Sequence, residues 1–283
     1  MSSIFEHLNK ATEILQLSGV EQPRREAGSL LAFALDKDRT FLISHPEYEL
    51  SDFEKKQFQH FLERRAAREP FQYITKRQEF YGLDFFVSPD VLIPRPETEL
   101  IVEASIEILG GKKGARFAEV GVGSGCISVS ILHAIKSASA DGFDISRKAL
   151  RVAEKNAESH RVSERLKLKI SDVFEVLSDE KFDLIVSNPP YISCEDARNL
   201  QPEVRNFEPL IALTDNFNGF SIIEKIIAGA PIFLNESGFL LMEIGFGQAN
   251  RVSRMFSPGI WAEVEILPDL QGIPRMVKAR TGK

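Results

Sequence analysis

The chain has 283 residues, of which 27% are charged and 43% hydrophobic, and a formal net charge of −6. This composition predicts a globular protein of one large or two smaller domains, and the negative charge argues against a broad basic face for nucleic acid. Two cysteines indicate neither a disulfide framework nor a cysteine-rich metal site, so we expect a reducing cytosol. We expect no signal peptide and no membrane span.

The first 72 residues have the pattern of a small helical domain. Ser3 and Glu6 have capping-box spacing at the start of a helix over residues 3–17. Further helices are predicted over residues 23–35 and 39–44 and after Ser51. The five histidines of the chain lack metal-ligand spacing, so no metal site is predicted.

Residues 73–95 are aromatic and rich in β-forming residues, which predicts a β-hairpin linker. Phe80 is a candidate for the substrate entrance, although a place in the hairpin core is the alternative. Arg95 lies between two prolines on a stiff approach to a helix that begins near Pro96. Two roles for Arg95 stay open, a contact with substrate backbone or an ion pair with an acid.

Residues 96–283 alternate between strand and helix patterns. Strands are predicted over residues 116–120, 142–144, 166–170, 182–187, 239–244, 262–267 and 276–279, and helices over 126–137, 148–159 and 220–228. Such alternation predicts a mostly parallel, doubly wound sheet. Ligands of these sheets bind at the carboxyl ends of the strands.

A glycine loop, Gly121-Val122-Gly123-Ser124-Gly125, follows the first strand of this region. Glycines let the backbone turn sharply and let a ligand approach closely. The third glycine comes one residue too early for the dinucleotide fingerprint. Glu119, just before the loop, would repel a phosphate and suits the cationic amino-acid portion of a ligand instead.

Two further carboxylates follow the next two strands. Asp144 lies about twenty residues after the loop, where a carboxylate can accept hydrogen bonds from both ribose hydroxyls. Asp172 is placed to accept from an adenine amino group while Val173 packs on the base. Acids at three successive strand ends describe a nucleoside site without phosphates, and S-adenosylmethionine fits that description.

The apolar strand over residues 182–187 ends at Asn188-Pro189-Pro190-Tyr191. The two prolines hold φ and remove two backbone donors, so the corner offers carbonyl acceptors, the Asn188 amide and the flat face of Tyr191. Such a site suits a planar group that carries an NH2. For the tetrapeptide alone, an ordinary turn is the alternative.

Together these motifs resemble those of class I S-adenosylmethionine-dependent methyltransferases that act on planar amide or amine nitrogens. Three more segments resemble the protein-(glutamine-N5) methyltransferase family of class I peptide chain release factors: Glu79-Phe80-Tyr81-Gly82, residues 92–99 and Phe207-Glu208-Pro209. The resemblance covers essentially the whole chain. The departures are Glu119-Val120 for the usual Asp-Leu, Val122 for a frequent Thr, and Val173 for an aromatic residue in some members.

The resemblance implies a class I Rossmann-like methyltransferase domain over residues 96–283, with the hairpin linker over 73–95 and a helical substrate-recognition domain over 1–72. It implies methylation, in the cytoplasm, of the glutamine in the release factor's Gly-Gly-Gln loop, which modulates translation termination and leaves S-adenosylhomocysteine. It implies a monomer that binds neither metal, membrane nor nucleic acid.

The resemblance also assigns roles to single residues. The implied cofactor site consists of Glu119, Gly121, Val122, Gly123, Ser124, Gly125, Asp144, Asp172, Val173 and Asn188. The implied catalytic and substrate-binding residues are Asn188, Pro189, Pro190 and Tyr191, with Phe80 and Arg95 as further substrate contacts.

Three other functions stay open from the sequence. An adenine-N6 DNA methyltransferase uses a similar corner on a flipped base, and salt-dependent DNA binding would favour it. Methylation of a ribosomal protein or of RNA is a second alternative. The third is a module without catalysis that binds a partner through its helical extension.

Overall fold

The computed structural model of the protein describes residues 3–282. Its helices are, in chain order, α1 (Ile4–Leu17), α2 (Pro23–Leu35), α3 (Arg39–Ser44), α4 (Asp52–Ala66), α5 (Phe71–Thr75), α6 (Glu99–Leu109), α7 (Cys126–Ala134), α8 (Arg147–Ser159), α9 (Pro202–Phe207), α10 (Leu210–Leu213), α11 (Ser221–Phe233) and α12 (Ala249–Ser253). Its strands are β1 (Arg77–Phe80), β2 (Leu83–Phe86), β3 (Arg116–Val120), β4 (Ser139–Asp144), β5 (Leu166–Ile170), β6 (Phe182–Ser187), β7 (Leu234–Glu243), β8 (Trp261–Pro268) and β9 (Pro274–Thr281).

The chain divides into two compact units, and the first is discontinuous in sequence. Unit 1 comprises Met1–Lys76 together with Gln201–Phe207, and unit 2 comprises Arg77–Leu200 and Glu208–Lys283. The sequence predicted domains that each consist of one continuous range. In the structure, residues 201–207 belong to the first unit although they lie far along the sequence.

Unit 1 is a helical bundle with one apolar core. The Ser3 side chain accepts from the Glu6 N–H and the Glu6 side chain accepts from the Ser3 N–H, which confirms the predicted capping box at the start of α1. The core is built from buried residues of α1, α2 and α4, among them Leu15, Leu30 and Phe58. Each of these helices contributes an amphipathic face, so their packing buries apolar surface that none could bury alone.

Helix α9 belongs to unit 1 and is held there by ion pairs. Glu203 accepts from Arg68 Nη2 at 2.6 Å and from Arg65 Nη2 at 3.1 Å. Arg65 also bonds Glu26 of α2 at 2.9 Å. Burial alone would raise the pKa of Glu203, but the hydrogen bonds from Arg68 and Arg65 bring that pKa below its ordinary value. The charge of Glu203 is therefore maintained at neutral pH.

Unit 2 is built on a seven-stranded sheet with the order β5-β4-β3-β6-β7-β9-β8. The pairs from β5 through β7 are parallel, whereas β9 pairs antiparallel with both β7 and β8. This topology confirms the mostly parallel, doubly wound sheet, and the structure shows that its last two strands pair antiparallel. The strand order reverses between β3 and β6, and ligands of such sheets bind beside that switch point.

Both faces of the sheet are covered, because parallel strands must be shielded on two sides. Leu184 and Val186 of β6 face one apolar core, whereas Ile185 faces the other. Every residue of β6 is buried. The first core includes residues of α6 and α7, and the second includes residues of α11.

The hairpin β1–β2 is part of unit 2, and its turn has the positive φ angles that a tight hairpin requires, +52° at Tyr81 and +70° at Gly82. Phe80 is only 1% exposed and belongs to the core beside α6 and α7, which corrects its expected place at a substrate entrance. The strand pairing turns the Phe80 ring inward, where it packs edge-on against Phe85. Of the two roles considered for Phe80, the structure supports a place in the core.

In residues 3–282, no helix combines the length and the apolar character needed to cross a membrane.

Candidate active site

A cavity of about 280 Å³ opens beside the switch point, at the carboxyl ends of the parallel strands. It brings together most of the residues selected from the sequence: Arg95, Glu119, Gly121, Val122, Gly123, Ser124, Asp144, Asp172, Val173, Asn188 and Pro190. Phe80, Gly125, Pro189 and Tyr191 are outside this lining. The cavity lies entirely within unit 2.

The glycine loop is held between β3 and β4 by backbone hydrogen bonds. The N–H groups of Gly121 and Val122 both donate to the Phe143 carbonyl, at 2.8 and 2.9 Å. On the other side, the Ser124 carbonyl accepts from Asn156 Nδ2 at 2.8 Å, and the same amide bonds Phe86 of the hairpin. The loop is therefore shaped by its neighbours before any ligand arrives.

Gly125 has a packing role instead of lining the cavity. It precedes α7 with φ of +80°, and a Cβ at this position would lie 3.2 Å from the Ala153 Cβ on α8. A side chain would therefore strain the backbone and crowd the contact between the helices. Gly125 is thus the residue of the glycine loop that packs against α8.

Glu119 is 1% exposed and lines the cavity from the end of β3. Its Oε2 accepts from the Ser128 N–H at 2.9 Å and also from the Ser128 hydroxyl, at the start of α7. Burial raises the pKa of Glu119 to about 8, and these hydrogen bonds only partly oppose that effect. An ammonium group beside this carboxyl would favour its ionised form.

Asp144 is held by two backbone donors, the Gly123 N–H at 2.9 Å and the Ser146 N–H at 2.8 Å. Burial nevertheless raises its pKa, because the loss of solvation outweighs those hydrogen bonds. Asp172 Oδ2 pairs with Lys225 at 2.8 Å, a partner that the sequence did not suggest. Its Oδ1 is not part of that bond.

Val173 has a backbone conformation unusual for its side chain. Its φ is +50°, in the left-handed region that a β-branched residue adopts at a cost of about 1–3 kcal/mol. The residue is buried and lines the cavity next to Asp172. Strain of this kind is common where a binding site imposes the backbone path.

The Asn188 side chain is oriented by two residues that the sequence analysis did not select. Its Nδ2 donates to Thr98 Oγ1 at 3.0 Å, and Thr98 Oγ1 donates to Glu243 Oε2 at 2.6 Å. Among residues 3–282, no donor bonds Asn188 Oδ1. The amide therefore keeps an available acceptor in a residue that lines the cavity.

Tyr191 supports the corner from behind. Its hydroxyl donates to Glu243 Oε1 at 3.0 Å and its ring packs against the second core. Burial and the adjacent Glu243 raise the pKa of Tyr191, so the phenol stays protonated. Its carbonyl accepts from Gln248 Nε2 at 2.9 Å. The sequence analysis gave this ring a place over the substrate, and the structure puts its hydroxyl on Glu243.

Arg95 has the second of its two possible roles, because it pairs with a buried acid. Its Nη2 donates to Glu208 Oε1 at 2.5 Å, while Glu208 Oε2 accepts from the Ile93 N–H at 3.1 Å. Arg95 also lines the cavity, so its ion pair does not remove it from a ligand's reach. The pair joins two segments that the family resemblance had singled out separately.

Thr98, Glu243 and Gln248 carried different signals in the sequence. Glu243 is a lone acid at the end of the apolar strand β7, next to β6 in the sheet, and a buried acid in that position is a recognisable sign of function. Thr98 lies within the segment of residues 92–99 that carries the family resemblance, but a threonine there has no signal of its own. Gln248 had no signal, since its role depends on a loop path.

Two family models match the chain. Residues 6–75 match the model described as the PrmC N-terminal domain, and residues 98–202 match the model described as the methyltransferase small domain. A release factor glutamine methyltransferase from Geobacter sulfurreducens is 42% identical over 264 residues, which cover 93% of this chain and 92% of that protein. One from Koribacter versatilis is 38% identical over 273 residues, 96% of each chain.

Among solved structures, a methyltransferase from Pyrococcus furiosus superposes with a TM-score of 0.53 at 15% identity, over 72% of this chain and 91% of that chain. At this identity the similarity concerns the fold. The fold and the cavity define a class I methyltransferase, the class that takes its methyl group from S-adenosylmethionine. Within that class, the similarity to curated relatives decides the family: the chain belongs to the release factor glutamine methyltransferases.

Proposed function

We propose that the chain transfers a methyl group from S-adenosylmethionine to the N5 amide nitrogen of the glutamine in the Gly-Gly-Gln loop of a class I peptide chain release factor, so modulating translation termination. The names of the relatives support this substrate. The observation that carries the proposal is the Asn188 amide, whose NH2 is engaged by Thr98 while its Oδ1 is available. That acceptor suits the NH2 of a primary amide.

The cavity fits the methyl donor. Glu119 is placed for the ammonium of the methionine portion, Asp144 for the ribose hydroxyls, and Asp172 with Val173 for the adenine. Among the described residues that line the cavity, Arg95 is the one basic side chain, and its charge is paired with that of Glu208, which agrees with a nucleoside ligand that carries no phosphate. When bound, S-adenosylmethionine supplies a sulfonium methyl group that is open to nucleophilic attack.

The residues of the corner orient a weak nucleophile. The nitrogen of a primary amide attacks poorly because its lone pair is delocalised into the carbonyl. In our proposal Asn188 Oδ1 and the Pro189 carbonyl each accept one amide hydrogen, which turns the face of the nitrogen toward the methyl group. Proximity and orientation can contribute about 7–11 kcal/mol to such a reaction. The proton leaves after transfer, so no strong base is required.

We propose a different part for Tyr191 from the one that its sequence suggested. Because its hydroxyl donates to Glu243 and its ring contacts the core, we assign it the support of the corner instead of the cover of the substrate amide. Gly219 and Gly245 pack closely against Tyr191. A Cβ added at Gly219 would lie 2.3 Å from the nearest Tyr191 atom, and a Cβ added at Gly245 would lie 3.0 Å from the nearest Tyr191 atom. This tight packing leaves the corner little freedom to move.

We further propose that unit 1 recognises the release factor, that the chain acts as a monomer in the cytosol, and that the product is S-adenosylhomocysteine. The match of residues 6–75 to a family-specific N-terminal model supports the first point. Free thiols at Cys126 and Cys194 agree with a reducing compartment. Light scattering on the purified protein tests the monomer.

The test is a methyl-transfer assay with labelled S-adenosylmethionine, a purified class I release factor and a release factor in which the loop glutamine is replaced by alanine. We expect label on the wild-type factor alone, and mass spectrometry should place it on that glutamine. Equal labelling of both factors would contradict the proposed site. Label on DNA or ribosomal components, with none on the factor, would contradict the proposed substrate.

A further inference from the structure

The chain Glu243–Thr98–Asn188 connects a buried carboxylate to the reactive corner through two hydrogen bonds. Thr98 is 2% exposed and Glu243 is 3% exposed, so water does not compete for these contacts. Both oxygens of Glu243 are used: Oε2 accepts from Thr98 and Oε1 accepts from Tyr191. Glu243 thus contacts Tyr191 directly and is connected to Asn188 through Thr98.

The hydrogen-bond inventory of these groups determines the direction of the chain. Burial raises the pKa of Glu243, and the hydrogen bonds from Thr98 and Tyr191 oppose that effect by favouring its ionised form. In that form the Glu243 carboxylate only accepts, and a threonine hydroxyl has one hydrogen. Because Thr98 gives that hydrogen to Glu243, it can only accept from Asn188. The Asn188 amide must therefore direct its Nδ2 toward Thr98, which leaves its Oδ1 on the side away from Thr98.

An asparagine amide has nearly the same shape after its oxygen and nitrogen exchange places, so packing alone does not choose between the two orientations. The wrong orientation would present an NH2 to the NH2 of a glutamine substrate, donor against donor. The burial of a carboxylate has a substantial free-energy cost. An apolar pair would fill the same space without that cost, but it would leave the amide free to turn.

We propose that Thr98 and Glu243 are positioning residues that hold the Asn188 amide with its oxygen directed to the substrate nitrogen. The inference rests on the proposed function. It predicts that loss of the Thr98 hydroxyl impairs the methyl-transfer step but not cofactor binding. Thr98 lines the cavity, but its hydroxyl is already bonded to Asn188 and Glu243, and the carboxylates proposed to hold the nucleoside are intact in the variant.

The experiment compares Thr98→Val, Thr98→Ser and Glu243→Gln with the wild-type enzyme. We expect Thr98→Val to lower kcat by about 10- to 100-fold, by analogy with the loss of a hydrogen-bonding partner that orients a metal ligand. The Kd for S-adenosylhomocysteine and the KM for the release factor should stay close to wild type. Thr98→Ser keeps the hydroxyl and should restore kcat. Glu243→Gln should lower kcat, because its amide can donate to Thr98 and reverse the chain.

A matched control is Ser105→Ala, which removes another buried hydroxyl from α6, one that bonds only the Ile101 carbonyl of the same helix. We expect its kcat to be unchanged. The decisive measurement is a double-mutant cycle, in which Thr98→Val should cost nothing further when Asn188 is already alanine.

The outcomes separate the two proposals. If the wild-type chain transfers no methyl group to the release factor, the proposed function and the inference both fail. If the wild-type chain is active and Thr98→Val keeps its kcat, or loses the same factor with and without Asn188, the inference alone is overturned. A fall in cofactor affinity equal to the fall in kcat would also overturn it.

Discussion

At the scale of single residues, the favoured protonation state of Glu119 differs between the free protein and the protein with a cationic ligand bound. Burial at the end of β3 raises its pKa to about 8, so at neutral pH the free protein holds the carboxyl mostly protonated. A cationic ligand beside it requires the ionised form. Binding of S-adenosylmethionine should therefore be coupled to the release of a proton.

This coupling predicts that cofactor affinity rises with pH. Between pH 6 and 8 the free protein must lose a proton from Glu119 before its charge can pair with the ammonium, so we expect the Kd to fall as the pH approaches 8. Calorimetry in buffers of different ionisation enthalpy measures the proton released. Glu119→Gln should bind more weakly and show a flat profile over this range. A wild-type Kd that is independent of pH would contradict the prediction.

The raised pKa of Glu119 also predicts that the stability of the free protein falls as the pH rises. A carboxyl whose folded pKa of about 8 lies above its ordinary value stabilises the fold at low pH, and that contribution is lost as the pH rises through 8. Glutamine does not titrate, so Glu119→Gln should have a higher Tm than wild type at pH 8.5 and a smaller advantage at pH 5. Thermal unfolding without ligand measures both Tm values. A Tm advantage of the variant that grows toward pH 5 would contradict the prediction.

Asn188 is the residue on which the proposed reaction most directly depends. Asn188→Ala removes the acceptor for the substrate amide and should lower kcat by about 100-fold or more, as loss of one preorganised polar contact does elsewhere. The Kd for S-adenosylhomocysteine should change little, because the carboxylates of the cavity are intact. Single-turnover kinetics with saturating cofactor tests this. Near-normal turnover would remove Asn188 from the mechanism.

At the scale of elements, strongly patterned segments were predictable and segments shaped by tertiary contacts were not. The apolar run of β6 and the amphipathic pattern of α8 indicated both elements to within a residue. Helix α11 continues to Phe233, beyond the predicted end at 228, with Pro231 inside it. Packing of α11 on the sheet outweighs the local preference of that proline.

The supports of the corner were missed for a related reason. Thr98, Glu243 and Gln248 come from three distant parts of the sequence, and only the folded chain places them around Asn188 and Tyr191. Most of the groups that line the cavity were predictable from the sequence, since their residue types and strand-end positions are informative. The residues that orient them were not.

The loop before α11 gives a prediction at this scale. Gly219 has φ of +79°, and a Cβ there would lie 2.3 Å from the Tyr191 carbonyl oxygen. Gly247 has φ of +78°, but no atom lies within 4 Å of its added Cβ. Both substitutions to alanine carry a left-handed backbone cost of about 1–2 kcal/mol, and only Gly219→Ala also displaces the corner.

We therefore expect Gly219→Ala to lower both Tm and kcat, and Gly247→Ala to lower Tm slightly with kcat unchanged. Thermal unfolding and the methyl-transfer assay distinguish the two effects. If both variants lose the same stability and keep the same kcat, the close approach of Gly219 to Tyr191 has no consequence for the site.

At the scale of the whole molecule, the chain enters unit 1 twice. After the proline corner it leaves unit 2 at Leu200, forms α9 within unit 1, and returns at Glu208. Glu208 then bonds Arg95 and Ile93, and Pro209 lines the cavity. Local periodicity predicts a helix or a strand but not such a return, so the discontinuity of unit 1 was not predictable from the sequence.

The anchor of α9 can be tested separately from the cofactor site. Glu203→Ala removes the shared partner of Arg65 and Arg68, and the loss of charged hydrogen bonds should lower the stability of unit 1 by about 1.5–3 kcal/mol. Hydrogen exchange of residues 201–207 should become faster. The Kd for S-adenosylhomocysteine should be unchanged, because every residue of the cavity belongs to unit 2.

Glu69→Ala is the matched control, since Glu69 forms a comparable two-bond ion pair with Arg64, at 2.8 and 2.6 Å, within the same unit but without contact to α9 through that pair. It should lower the stability of unit 1 and leave the exchange of residues 201–207 as slow as in the wild-type protein. The pKa of Glu203 lies below its ordinary value, so the anchor should hold at neutral pH and weaken as the solution becomes acidic enough to protonate this carboxyl. Equal exchange of α9 in both variants would contradict the role of Glu203 in holding this helix in unit 1.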